Sequence, residues 1–175
     1  MFKLISKTIA AVAIVSVALF GSANAKTLKI ETHFTASSPN GEVAAQFAKN
    51  VEMFSGGSLK VEMFYSSSVT GKSAEVFNSA QTGIIDCDMT GAGYQTGKNA
   101  AFQFAGDVMG GYDNPYQQYD FLKFPGAQEA VDALYNKYGM TLIGWWIPGH
   151  ESLISSKPIP DVASIKDFKF RSPPG

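Results

Sequence analysis

The sequence predicts an α/β protein built on an open, largely parallel sheet, and three observations carry that expectation. Segments with apolar residues at every second position alternate with segments whose apolar residues fall on one helical stripe: Leu28, Ile30 and Thr32, then Val43, Phe47, Val51 and Phe54, then Leu59, Val61 and Met63. Glycines stand where each helical segment should stop, at Gly56-Gly57, Gly83 and Gly139. Strand, helix and strand at this spacing form a right-handed βαβ unit, whose parallel strands bring their carboxyl ends to one edge of the sheet.

In chain order, residues 26–34 form the first strand, and Ser38 caps a helix whose first turn takes Pro39. Residues 59–65 are the second strand. Residues 71–81 form the second helix, carrying Ala74, Phe77 and Ala80, with Gly83 as a left-handed stop. Residues 84–89 are the third strand, from which Gly91-Ala92-Gly93-Tyr94 departs. Ligands of open α/β sheets bind beyond the carboxyl ends of the strands, so residues 33–40, 66–68 and 91–94 are expected to line one cleft. The glycine-rich stretch 102–111 reads as irregular. Residues 115–123 form a short helix, and residues 126–138 a firmer one, with Val131, Leu134, Tyr135 and Tyr138 at i, i+3, i+4 and i+7. Residues 140–147 read as a buried strand broken by Pro148-Gly149, and residues 152–156 as further extended chain. After the rigid connector Lys157-Pro158-Ile159-Pro160, Phe168 and Phe170 alternate with Lys169 and Arg171, a strand ended by Pro173-Pro174.

Composition narrows the function. Lys3 and Lys7, the uncharged run from Ile9 to Phe20 and Ala23-Asn24-Ala25 together make a secretory signal peptide with an A-x-A cleavage site, over residues 1–25. The run is too short to span a bilayer, so no stable membrane insertion is expected once the signal is removed. The chain has 14 basic and 15 acidic residues, and loss of the signal leaves 12 against 15, which offers nucleic acid no basic field. Cys87 is the single cysteine, so stability must come from packing; between Ile85 and Met89 it reads as an inert buried thiol.

Motifs for chemistry are few. Gly91-Ala92-Gly93 lacks the third glycine and following helix of a dinucleotide site, and no cofactor is expected. Asp86 and Asp88 lie two apart without further ligands at metal spacing, and read as solvated strand acids. No nucleophile elbow, HExxH or CxxC occurs, so the sequence gives no support to an enzyme. What remains is recognition. Arg171, on a strand held between prolines, presents a planar fork that fits a carboxylate in bidentate fashion; an ordinary surface ion pair is the plainer role for such a residue. Tyr94 supplies an aromatic wall. Trp145 and Trp146 are adjacent on one strand and point to opposite faces, so one of them, Trp146, is the candidate for the cleft. His33, leaving the first strand, and Gly149, following the tryptophans, complete the candidate set.

Several segments agree with one family. The signal peptide, the opening over residues 28–65, the turn Thr82-Gly83-Ile84-Ile85-Asp86, and above all Ser156-Lys157-Pro158-Ile159 followed by Lys169-Phe170-Arg171-Ser172-Pro173 resemble the solute-binding subunit of tripartite ATP-independent periplasmic (TRAP) transporters, of the DctP type. The resemblance implies a periplasmic two-domain clamshell that closes on a small organic acid and delivers it to a sodium-driven membrane permease pair. The arginine matching Arg171 would hold the carboxylate. It also implies that residues 26–147 are most of the first domain and residues 148–175 the start of a second, since family members are commonly about twice this length. Two departures matter. Where the family usually reads Asp-Leu-Lys-Gly, this chain has Ser164-Ile165-Lys166-Asp167, in which Ser164 can still cap a short helix. Sugar-acid binders carry an arginine after a glycine where this chain reads Gly149-His150-Glu151, which disfavours a sialic-acid-like ligand. The alternatives are a secreted hydrolase or lyase on an α/β sheet, which would need a nucleophile and base, and the binding protein of an ABC importer, which shares the clamshell.

Overall fold

The computed structural model describes residues 25–106, 108, 110–147 and 152–171. The expected signal segment apart from Ala25, the candidate Gly149 and the terminal Pro173-Pro174 lie outside these residues. The regular elements are β1 (Lys26–Thr32), α1 (Pro39–Phe54), β2 (Leu59–Phe64), α2 (Val76–Gln81), β3 (Cys87–Met89), α3 (Pro115–Lys123) and α4 (Ala127–Asn136). The sheet has the order β2-β1-β3 and both pairings are parallel, with Leu28 opposite Val61 and Thr32 opposite Met89. Right-handed crossovers that step in opposite directions along the sheet, from β1 to β2 and then from β2 past β1 to β3, lie on opposite faces, which puts α1 on one side of the sheet and α2 on the other. The outer edge of β2 is guarded by Glu52 of α1, whose carboxylate accepts from Val61 N at 3.0 Å.

Local chemistry sets the helix ends. Ser38 is extended, and its hydroxyl accepts from Gly41 N at 3.1 Å, with Pro39 in the first turn as expected. Gly41 is fixed by space, because a Cβ there would lie 2.0 Å from the carbonyl oxygen of Thr35. Three helical segments end in the same paired motif. Gly56, Gly83 and Gly139 donate to Met53, Ala80 and Asn136, and the residue after each donates to Glu52, Ser79 and Tyr135. All three glycines have positive φ, at 60°, 76° and 71°.

That motif corrects the start of the third strand. Ile84 N and Ile85 N both donate back to Ser79 O, so neither joins the sheet and β3 begins at Cys87. Asp86 bridges the gap: its amide donates to Lys29 O and its carboxylate accepts from Lys29 N, both at 2.8 Å. The second helix is shorter than expected, since Gly71 turns left-handed and a 3-10 turn, Ser73–Glu75, precedes α2. The stretch read as irregular contains a 3-10 turn, Ala100–Phe104, with Asn99 accepting from Ala101 N and Phe102 wholly buried.

The main core joins α2, the 3-10 turns and α4. Phe77 and Phe102 meet edge-to-face at 5.8 Å between centroids, and Tyr135 and Tyr138 pack on both, over Val131 and Leu134.

Three expected strands do not form. Residues 140–147 run against this core without ladder bonds, fastened by Leu142 N to the Asp132 carboxylate at 3.0 Å and by Trp145 Nε1 to Ala105 O at 3.1 Å. Residues 152–156 and 168–171 are likewise irregular. Alternation specifies which side chains share a face, but a strand also needs a neighbouring edge within hydrogen-bond reach, and these segments have none among the described residues. The cap of the turn Ala163–Ile165 is also corrected: Asp161, not Ser164, supplies the accepting oxygen, at 2.8 Å from Ser164 N.

Two substitutions test this account in denaturant melts. Ser38→Ala should cost about 1 kcal/mol through the lost cap. Gly41→Ala should cost more, about 1–3 kcal/mol, because the methyl meets two main-chain oxygens. Equal midpoints for Gly41→Ala and the parent would show that the turn at Thr35 yields freely.

Candidate functional site

The carboxyl ends of β1 and β3 open into a cleft of about 1450 Å³. Four sequence candidates line it: His33, Tyr94, Trp146 and Arg171. His33 and Phe34 follow β1 directly, and the 3-10 turn Ala92–Gln95 after β3 carries Tyr94. The His33 ring lies 4.0 Å from Phe34, 5.4 Å from Tyr94 and 6.1 Å from Trp146, while Phe34 and Trp146 meet edge-to-face at 4.7 Å. Phe34 belongs to this cluster although the sequence did not single it out. Its signal was there: an aromatic placed one residue beyond a histidine at a parallel strand's carboxyl end. Val43 and Phe47 of α1 extend the apolar wall.

Burial shapes the chemistry of these groups. His33 Nδ1 is shielded from water and has no hydrogen-bond partner, and burial holds the imidazole below its ordinary pKa, so the ring is neutral at pH 7. Arg171 is exposed at the cleft and forms no ion pair among the described residues. Its irregular segment follows Asp167, whose φ of +64° is the left-handed turn that a glycine would supply most easily. The Phe168 and Phe170 rings lie tilted to each other, 6.1 Å between centroids.

The tryptophans diverge as expected, with one difference. Trp145 packs on the core through its indole N–H bond and Trp146 on the aromatic cluster, yet both contribute to the cleft wall. Residues 66–68 do not line the cleft; Ser66 N and Ser67 N donate to Phe34 O and Thr32 O and tie that loop back to β1.

Asp86 is exposed, but Asp88 is not the solvated acid that the sequence suggested. Its Oδ1 is buried without a partner, and burial pushes its pKa up to about 6, with Thr90 tempering the rise and Glu31 adding to it. Cys87 is half-buried beside it, and burial, then Asp86 and Asp88, raise its thiol pKa, which keeps it protonated. Among the described residues no group of three His, Cys, Asp or Glu side chains is placed to hold a metal ion. Apolar walls, a neutral imidazole and a guanidinium are equipment for holding an anion with an organic body.

The comparisons with known proteins bear on the fold and the family. A TRAP periplasmic solute-binding protein from Rhodobacter sphaeroides, in an apo open structure, is 30% identical, with a TM-score of 0.68 over 85% of this chain and 47% of its own. A TRAP periplasmic solute-binding protein from Pseudoalteromonas atlantica with bound sodium and pyruvate is 20% identical, with a TM-score of 0.60 over 66% of this chain and 35% of its own. An extracytoplasmic solute receptor from Bordetella pertussis binding pyroglutamic acid is 19% identical, with a TM-score of 0.55 over 66% of this chain and 37% of its own. The chain thus has the fold of periplasmic solute-binding proteins and spans less than half the length of these relatives. The family model of the bacterial extracellular solute-binding proteins, family 7, matches residues 30–175. By fold, by the cleft at the strand ends and by this match, the chain belongs to the DctP family of extracellular solute-binding proteins, the binding subunits of TRAP transporters.

Proposed function

We propose that this chain captures a small organic acid outside the cytoplasm and hands it to a TRAP membrane permease, without transforming it. The observation that carries the reading is the sharing of one cleft by Arg171 and the aromatic group His33, Phe34, Tyr94 and Trp146. Arg171 supplies two parallel donors to a carboxylate, and the rings enclose the organic body beside it. A neutral His33 adds no second charge, which suits a ligand of one or few negative charges. Relatives that hold pyruvate and pyroglutamic acid support a carboxylate of this size. Residues 1–25 support export through a signal peptide, and no described helix is long and apolar enough to cross a membrane. Residues 148–175 would then begin a second wall of the cleft.

Export is tested by mass spectrometry of periplasmic protein, which should find Lys26 at the amino terminus; an intact Met1 in a soluble cytoplasmic product would remove that part of the reading.

Thermal-shift screening of the whole protein against small carboxylic acids should find a stabilising ligand, by roughly 2.7 kcal/mol at a hundred times its Kd. Arg171→Ala should then weaken binding by about 2–5 kcal/mol in calorimetry and leave the melting temperature unchanged; Arg171→Lys keeps the charge, loses the fork and should also bind more weakly. Full affinity in Arg171→Ala would assign the carboxylate to another group.

The tryptophans should separate folding from binding. Trp145→Ala removes a core contact and should cost about 3 kcal/mol of stability, whereas Trp146→Ala should spare stability and weaken ligand binding. The reverse pattern in paired denaturation and calorimetry would exchange their roles.

A further inference from the structure

Glu31 and Asp88 are directly opposite each other in the parallel pairing of β1 with β3, so their side chains stand on the same face of the sheet, about 4.8 Å apart at the backbone. Glu31 is wholly buried. Its Oε1 accepts from Val69 N at 2.6 Å and Thr70 N at 3.4 Å, while Oε2 is buried with no partner. Asp88 Oδ1 is also buried with no partner. Two shielded carboxylate oxygens therefore lie on adjacent strands, each lacking a donor, an arrangement costly for two anions in a low-dielectric setting.

The surroundings offer only a partial remedy. Facing Asp88 are Glu31 from β1 and the Tyr135 phenol from α4, with Asp86, Cys87 and Thr90 beside it on its own segment. Thr90 tempers the rise of Asp88 through its hydroxyl and its amide, while no described residue donates to Asp88 Oδ1. Tyr135 remains protonated, since burial and then the charge of Asp88 push its pKa up to about 12. Lys98 sits over the Phe77 ring, its Nζ 5.6 Å from the centroid, and forms no ion pair with either acid.

We infer that Glu31 and Asp88 share one proton in the folded chain, forming a pH-responsive joint between β1 and β3 beneath the cleft. Glu31 Oε1 already accepts from two amides, so the proton is placed on Asp88, whose O–H is directed across the strand pair to Glu31 Oε2. The proton enters from solvent as pH falls and returns to solvent as pH rises, leaving two facing anions. Burial already pushes Asp88 up to about 6, which places the change at mildly acidic pH. The folded pKa lies above the unfolded value, so the native state binds the extra proton and stability must decline as pH rises through about 4 to 6. The joint holds parts of the fold that matter. Glu31 anchors the loop into α2, and Asp88 begins the segment that carries Tyr94 to the cleft.

Carbon-13 carboxyl NMR on the full chain tests this. Asp88 should titrate near pH 6, and Glu31→Gln, whose side-chain oxygen can still accept from Val69 and Thr70, should lower that midpoint by about one pH unit or more. The melting temperature should rise on going from pH 7.5 to 5, and Asp88→Asn should flatten that dependence. An Asp88 midpoint in the ordinary carboxylate range, or one unmoved by Glu31→Gln, overturns the inference. Should Glu31→Gln fail to fold, infrared spectroscopy of the parent decides: a protonated carboxyl stretch at pH 5.5 that is lost by pH 8 supports the pair, and its absence at pH 5.5 overturns it.

Discussion

Everything in this chain depends on the parallel pairing of β1 with a strand on each side. Parallel neighbours cannot be joined by a tight turn, so each connection becomes a crossover, and the crossovers place helices on both faces. The same geometry brings the carboxyl ends of β1 and β3 together, and the residues that leave them become close neighbours whatever their separation in sequence. His33 and Tyr94 are an example: sixty-one positions apart in the chain, their rings lie 5.4 Å from each other.

Features governed by local chemistry were legible in the sequence. Ser38 with Pro39 announced the start of α1, and Gly56, Gly83 and Gly139 announced three helix stops, because capping and left-handed turns involve only a few consecutive residues. The alternation of Leu28, Ile30 and Thr32 was equally readable, since β1 has neighbours on both sides. The same alternation around Trp145 misled, because a ladder depends on a distant edge that the segment's own pattern does not describe. The start of β3 misled for a different reason. Ile84 and Ile85 have strand-like side chains, but the turn after α2 had already claimed their amides.

For the site, residue type served better than position. Arg171, Tyr94, Trp146 and His33 were picked for what their side chains can do, and the fold gathers them along one cleft. The burial of Asp88 was not legible, because it comes from Glu31, α2 and α4 closing over one face of the sheet. A strand three residues long gives no periodicity from which to read such a cover. Glu31 was hidden for the converse reason: its neighbours in sequence make it look like the polar member of an alternating strand, while its real partners are amides thirty-eight and thirty-nine residues away.

Magnitude decides what the cleft must do to bind an acid. At 4 Å, an arginine and a carboxylate attract by about 1 kcal/mol in water and by about 4 kcal/mol at the effective dielectric of a protein surface. Arg171 is exposed, so in the open cleft it works near the lower figure. The charge alone cannot supply useful affinity, and the difference has to come from excluding water around the ion pair. Phe34, Tyr94 and Trp146, which line the cleft, would begin that exclusion on one side. A cleft of about 1450 Å³ is far larger than a small acid, so walls and charge gain their full effect only when a further surface closes over the opening. On the proposed reading, capture would therefore be a property of closure: the guanidinium would choose the anion, and the strength of that choice would depend on how much water is removed around it.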